Sequence, residues 1–282
     1  MSFLDRIDEC NAHDLSRFVP FTVAGERVGW VKRAFAGRLR GFPAVFRVAD
    51  DAVSLDPGLD GFDARSQAVD AALQRLAEDG AVPGWRGEMY PVATGFAAKP
   101  LLRMERAAVP LFGVRAYGVH VNGFVRDGGE VSMWIARRSP AKHTYPGLLD
   151  NFVAGGQPIG IGLMENVVKE AGEEAGVPPA IASSAAVAVG AVSYCHETPD
   201  GLKPDVQFAF DMALPPDFEP RNADGEIEEF TLWPVAKVME VTRQTRDFKF
   251  NCNLVNIDFF VRHGFIAPDD PDYLEIVKGL HQ

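Results

Sequence analysis

The stretch Ala154–Val177, AGGQPIGIGLMENVVKEAGEEAGV, sets a glycine-rich turn ahead of an apolar-periodic run that carries four glutamates. Its spacing predicts an α-helix over Leu163–Ala175, stopped by Gly176 and then by Pro178-Pro179. On that helix Glu170, Glu173 and Glu174 occupy i, i+3 and i+4, so three like charges share one face with Cβ atoms roughly 5–6 Å apart. Such crowding is tolerable in two settings. Either all three carboxylates are solvated, or a divalent cation among them supplies the missing positive charge.

The 282 residues suffice for one large or two ordinary domains, and a hydrophobic content of 47% supports a sizeable core. A formal net charge of −11 argues against nucleic acid or an anionic membrane as partner, so a small anionic ligand would need local cations or metal. Cys10, Cys195 and Cys252 are widely spaced and form no C-x-x-C, which suggests reduced thiols in the cytoplasm rather than a disulfide framework or zinc knuckle. The first residues, MSFLDRIDECNAHDLSRF, lack the basic and apolar regions of a secretory signal. The longest weakly polar run, 181–192, is well short of the roughly 18 residues of a membrane helix.

Residues 1–108 are expected to form an N-terminal α+β domain: a helix over Leu4–Phe18, a hairpin over Phe21–Val31 turning at Ala24-Gly25, another over Val45–Leu55, and an amphipathic helix over Ala64–Gly80. No chemical motif stands out there. Over 109–282, AYGVHVNGFV, VSMWIARRS, DVQFAFDMAL and EIEEFTLWPV have strand character, and a second helix is expected over Asn251–His263, with Asn251 as N-cap. Strands mixed with two helices suggest a sheet between helical layers.

The order Gly155-x5-Ile161-x7-Lys169-Glu170-Ala171-x-Glu173-Glu174-x-Gly176-Val177 resembles the Nudix hydrolase box, G-x5-E-x7-R-E-U-x-E-E-x-G-U with U aliphatic, at seven of nine positions. The resemblance implies an α/β/α sandwich and Mg²⁺- or Mn²⁺-dependent hydrolysis of a small-molecule diphosphate. Glu170, Glu173 and Glu174 would be metal ligands and the Gly155 carbonyl a fourth oxygen, with Glu173 and Glu174 central to catalysis. Oxygen donors without His or Cys suit those hard cations far better than zinc. Ile161 and Lys169 depart together from the Glu and Arg of the usual box, which reads as an adapted pair. AGGQPIG and ENVVKEAGEEA, with the flanking WIARRSPAKHTYPG and FKFNCNLVNIDFFVRHGF, are similar to the Nudix subgroup related to thiamine pyrophosphokinase-associated proteins. Members of that subgroup are linked to removal of damaged or analogue forms of thiamine diphosphate.

Arg137, Arg138 and Lys142 lie just upstream and would offset a diphosphate's charge. Tyr145 is a candidate to stack on a heteroaromatic ring, whereas Trp134 alternates like a core residue. Among Glu226, Glu228 and Glu229, Glu228 is the first choice for a general base, against the alternative of a solvated hairpin. His196-Glu197 lacks the second histidine of H-E-x-x-H, and GGQPIGIG is neither a P-loop nor a dinucleotide fingerprint.

Overall fold

A capping box opens the chain's first helix, α1 (Phe3–Cys10): Asp5 N–H donates to Ser2 Oγ, and Ser2 N–H donates to the Asp5 carboxylate. The helix stops at Asn11 and does not reach Phe18. Asp14 caps a separate 3₁₀ turn over Leu15–Arg17, and Asn11 accepts from the Cys195 N–H instead of pointing to solvent. Short polar side chains there bond locally to backbone and compete with helix continuation. The computed structural model describes all 282 residues.

β1 (Phe18–Val23) and β2 (Glu26–Lys32) form the expected hairpin, with Ala24 at φ 52° and Gly25 at φ 84°. Both central residues of a tight twisted turn need that left-handed region. α2 (Arg33–Leu39), β3 (Phe46–Val48) and β4 (Val53–Leu55) complete a sheet of order β2-β1-β4-β3. α3 (Gly61–Glu78) buries Val69, Ala72, Leu73 and Leu76, the i, i+3, i+4, i+7 stripe of an amphipathic helix. A ribbon of β5 (Met89–Val92) and β6 (Leu102–Glu105) leads into a 3₁₀ stretch, Arg106–Phe112. These elements share one core running from Val19 to Val114. α1 is not part of it: Phe3, Ile7 and Cys10 are buried in the core of the second half.

That half is built on β7 (Tyr117–Asp127), β8 (Glu130–Arg138), β9 (Leu149–Asp150), β10 (Val153–Gly156), α4 (Leu163–Ala175), α5 (Pro179–Ala185) and β11 (Ala186–Ser193). It continues through β12 (His196–Glu197), β13 (Leu202–Lys203), β14 (Val206–Ala213), β15 (Ile227–Pro234), α6 (Val235–Gln244), α7 (Cys252–Arg262) and α8 (Tyr273–Gly279). The main sheet has the order β11-β14-β7-β8-β15, with β10 beside β7 and β9 beside β8. β7 is buried along its first nine residues because both faces are covered. On one face Val119 and Val121 pack with Val167, Ala171 and Ala175 of α4 and Ala182 of α5. On the other, Phe124, Met133 and Ile135 pack with α1, α6, α7 and α8. The result is an α/β/α sandwich. None of its helices is long and apolar enough to cross a membrane.

Candidate active site

α4 follows the β10 turn because Gly162 carries the N-cap and Gly176, at φ 64°, the C-cap. Val167, Ala171 and Ala175 take its apolar stripe to the sheet, which turns Glu170 and Glu174 toward β10. A Cβ at Gly155 would fall on the Glu170 carboxyl, and one at Gly156 would fall on the Tyr90 hydroxyl and lie 3.5 Å from the Arg106 guanidinium carbon. Each glycine of the pair is thus required by a different close approach. Asn166 Nδ2 donates to the Gly156 carbonyl at 2.7 Å and to Gln157 Oε1 at 3.1 Å, tying loop to helix. Asn166 was legible only as a polar residue inside the helix's buried stripe.

Glu174 is 3% exposed; its Oε2 accepts from the Ala154 N–H at 2.9 Å, and its Oε1 lies 3.7 Å from Lys142 Nζ. Burial pushes its carboxyl up to about 8, because one amide and one distant ammonium only partly replace water. Burial also raises Glu170. Lys169 Nζ bridges Glu170 at 3.0 Å and Glu173 at 2.8 Å, while Lys142 also pairs with Glu226. Two ammonium groups therefore supply positive charge among the acids. Glu170, Glu173 and Glu174 do not bring three ligand atoms within 4.8 Å of one another, since Lys169 stands between Glu170 and Glu173, but their oxygen donors are of the type that suits a hard divalent cation.

The cavity beside these residues, ≈ 560 Å³, lies between the two halves of the molecule. Glu170, Lys142, Gly155, Tyr145 and Arg138 line it, and so does Glu226, but Glu173, Glu174, Glu228 and Arg137 do not. Glu228 is exposed at a bulge between Ile227 and Glu229. Arg137 pairs with Glu229 at 2.9 Å and donates to the Gly147 carbonyl. Arg138 is buried and committed to Asp150 at 2.6 Å and to the carbonyls of Thr144 and Tyr145 at 2.8 and 3.0 Å, so it shapes the loop that carries Tyr145. Tyr145, at φ 53°, sits 5.6 Å from the Phe250 ring, and His196 stacks on Phe250 at 4.6 Å. Tyr90, Arg106, Tyr194, Lys203, Asp205 and Phe250 also line the cavity. Their sequence surroundings contain no motif, and only the fold brings them together. Trp134 packs against the sheet core.

Deeper in the wall, His120, Asp150 and Cys252 present potential ligand atoms within 4.8 Å of one another. Asp150 already has Arg138 at 2.6 Å and Lys249 at 3.7 Å, and Cys252 Sγ donates to it at 2.8 Å. Burial and the neighbouring carboxylate raise the Cys252 thiol well above its ordinary range, so it is no ready thiolate. His120 is 2% exposed, and burial, reinforced by Lys249, pushes its imidazole from 6.5 down to about 4. Between those two values the unfolded chain takes up a proton that the folded chain refuses, so stability falls as pH drops through the window. Relative to His120→Gln, the wild type is expected to lose about 3 kcal/mol between pH 7 and pH 4. Urea unfolding at several pH values measures this. Glu174 acts in the opposite direction, its contribution being lost as pH rises toward 8, but it cancels between the two proteins. Parallel pH curves for the two would refute the assignment.

Residues 2–116 match a sequence family described only as a domain of unknown function, DUF4743. In the solved structures, the NUDIX domain of Shewanella oneidensis NrtR, complexed with ADP ribose, superposes with TM-score 0.42 and 15% identity over 54% of this chain and 90% of that one. A C. elegans Ap4A hydrolase binary complex gives TM-score 0.39 and 10% identity over 52% of this chain and 98% of that one. An uncharacterised protein of Saccharomyces cerevisiae is 34% identical over 86% of this chain and 75% of its own length. Two Arabidopsis thaliana proteins, Nudix hydrolase 20, chloroplastic, and Nudix hydrolase 24, chloroplastic, are each 44% identical over 99% of this chain and 77% of their own length. An identity of that extent spans the acidic helix, its glycine turn and the N-terminal half alike, and the chain belongs to the Nudix hydrolase family.

Proposed function

We propose that this Nudix hydrolase cleaves the phosphoanhydride of a small-molecule diphosphate with Mg²⁺ or Mn²⁺, and that its substrate carries a flat heteroaromatic group of the thiamine type. The observation that carries the reading is Glu170, on the acidic face of α4, held against Gly155 at the wall of a cavity that also exposes cations. Glu170, Glu173 and Glu174 would hold the metal, with the Gly155 carbonyl as a further oxygen. Bound there, a divalent cation supplies charge neutralisation for the diphosphate and acidifies the attacking water.

The chain's own groups do the rest. Lys142, at the cavity wall, meets the substrate's phosphate oxygens as a point charge. Burial raises the Glu226 carboxyl, but the hydrogen bond and charge of Lys142 together with the charges of Arg86 and Arg106 outweigh this and keep it below the ordinary range, ionised and able to accept a proton. Water oxygen attacks one phosphorus, its proton passes to Glu226, and the bridging P–O bond breaks with its electrons leaving on the departing phosphate. Glu226 takes this role in preference to Glu228 because only Glu226 lines the cavity. Phe250, stacked by His196 and flanked by Tyr145 and Tyr194, offers a flat aromatic wall for the heterocycle. The sequence's similarity to the thiamine-linked subgroup supports that choice of ring. Three free cysteines, two of them buried, are consistent with a reducing compartment such as the cytoplasm.

The test compares kcat/KM for thiamine diphosphate, its oxidised analogues, ADP-ribose and nucleoside diphosphates at one Mg²⁺ concentration. Thiamine-type compounds should lead, with damaged analogues ahead of thiamine diphosphate, since a polar contact to one altered group can discriminate by orders of magnitude. A nucleotide derivative ahead of every thiamine compound by more than about tenfold, about 1.4 kcal/mol, would overturn the ring assignment alone. In the same assay Glu226→Gln should lower kcat at least about 10²-fold and Glu228→Gln leave it nearly unchanged; the reverse order would move the base to Glu228.

A further inference from the structure

The N-terminal half brings an arginine to the cavity. Arg106, at the start of the 3₁₀ stretch that ends that half's core, lines the cavity and keeps 47% of its side chain accessible. Its Nη1 pairs with Glu88 at 2.7 Å, its Nε and Nη2 engage no protein group, and its guanidinium lies 5.7 Å over the Tyr90 ring. Tyr90 in turn fills the space that a side chain at Gly156 would take. The arginine is therefore fixed against the turn beside the acidic helix, with two nitrogens free.

Its charge reaches acids on both walls: Glu170 on α4 and Glu226 ahead of β15. Arg86, from the same half, also acts on Glu226 and lines the cavity. Arg86, Arg106, Arg138, Lys142, Lys203 and Lys249 line the hollow together with Glu170, Glu197, Asp200, Asp205 and Glu226. Lys142 and Arg138 are taken up by Glu226 and Asp150, whereas Arg106 keeps a free N–H pair, and a guanidinium so placed suits phosphate by forked hydrogen bonds.

We infer that Arg106 is a substrate-binding residue that grips a phosphate of the diphosphate, so that the DUF4743 half forms one wall of the active site instead of standing apart from it. The inference rests on the diphosphate reading above. It differs from it in assigning a task to the half that matches a domain described only as of unknown function.

The experiment uses the full chain and methylenediphosphonate, a diphosphate with a non-hydrolysable bridge, titrated by calorimetry in Mg²⁺. Arg106→Gln should weaken binding at least tenfold, Arg106→Lys should recover part of the loss by restoring charge without the fork, and the melting temperature should stay within a degree or two of wild type. With a cleavable substrate, Arg106→Gln should raise KM more than it lowers kcat. Binding by Arg106→Gln within twofold of wild type overturns the inference, as does a wild type that does not bind the diphosphonate. A wild type that hydrolyses diphosphates while Arg106→Gln binds normally sinks this inference and leaves the hydrolase reading standing. A wild type that binds through Arg106 but hydrolyses no diphosphate does the opposite.

Discussion

Glu173→Gln and Glu174→Gln are each expected to lower kcat at saturating Mg²⁺ by at least about 10²-fold, the scale of losing several kcal/mol of transition-state stabilisation. The two should differ in stability. Glu173 is half-exposed and paired with Lys169 at 2.8 Å, so its neutralisation should change the metal-free melting temperature little. Glu174 is buried, and its carboxyl is pushed up to about 8 because ionising it without adequate partners is costly. A glutamine there keeps an acceptor for the Ala154 N–H, leaves Lys142 with Glu226, and removes the buried charge. The Glu174→Gln protein without metal should therefore melt at or above the wild-type temperature near pH 8 while being nearly inactive. Near wild-type turnover in both variants would remove these carboxylates from the chemistry.

Alanine at Gly155 is expected to cost at least about 10²-fold in kcat, because the added methyl would occupy the place of the Glu170 carboxyl and turn that ligand away. Alanine at Gly156 meets a different obstacle, the Tyr90 hydroxyl with Arg106 behind it. It should displace the substrate-gripping wall, so KM rises while kcat falls less. Both changes overpack the end of β10 and should cost about 1–3 kcal/mol of stability. Kinetic constants for the two alanine proteins, read beside their unfolding curves, check the split. Identical kinetic defects would mean that the pair of glycines serves packing alone.

Local pattern carried much of the fold. The helix expected over Leu163–Ala175 forms with those bounds, and the four strands read from alternation and buried runs appear as β7, β8, β14 and β15 within a residue or two. The hairpin at Ala24-Gly25 was legible because those two residues tolerate the turn. Where periodicity was short or absent, as in α2, β5, β6 and β9, tertiary pairing decides the structure and the sequence offers no signal of its own. The same limit applies to the cavity. The glutamates of α4 announce themselves because one helix places them together, whereas Tyr90 of the β5-β6 ribbon and Arg106 just after it come to line one cavity with Phe250 only after the two halves have packed. Arg138 shows the converse: a cation in the right stretch of sequence is drawn into a buried pair with Asp150. Alternation alone could not separate Glu226 from Glu228, since a bulge after Ile227 resets the register.

Because α1 is buried among α6, α7 and α8 while Val19–Val114 keep a core of their own, the chain leaves the hydrolase body and returns to it. The core of residues 19–114 is thus joined to the hydrolase body by two chain crossings, Asn11–Arg17 and Arg115–Ala116, the first pinned where the Asn11 side chain accepts from Cys195. Further bonds close the seam: Lys32 Nζ donates to the Thr198 carbonyl at 2.6 Å, and the Ile159 N–H donates to the Met89 carbonyl at 3.0 Å. The cavity wall that this core supplies is therefore a panel bolted at several points, and the position of each side chain it presents is set by both halves at once.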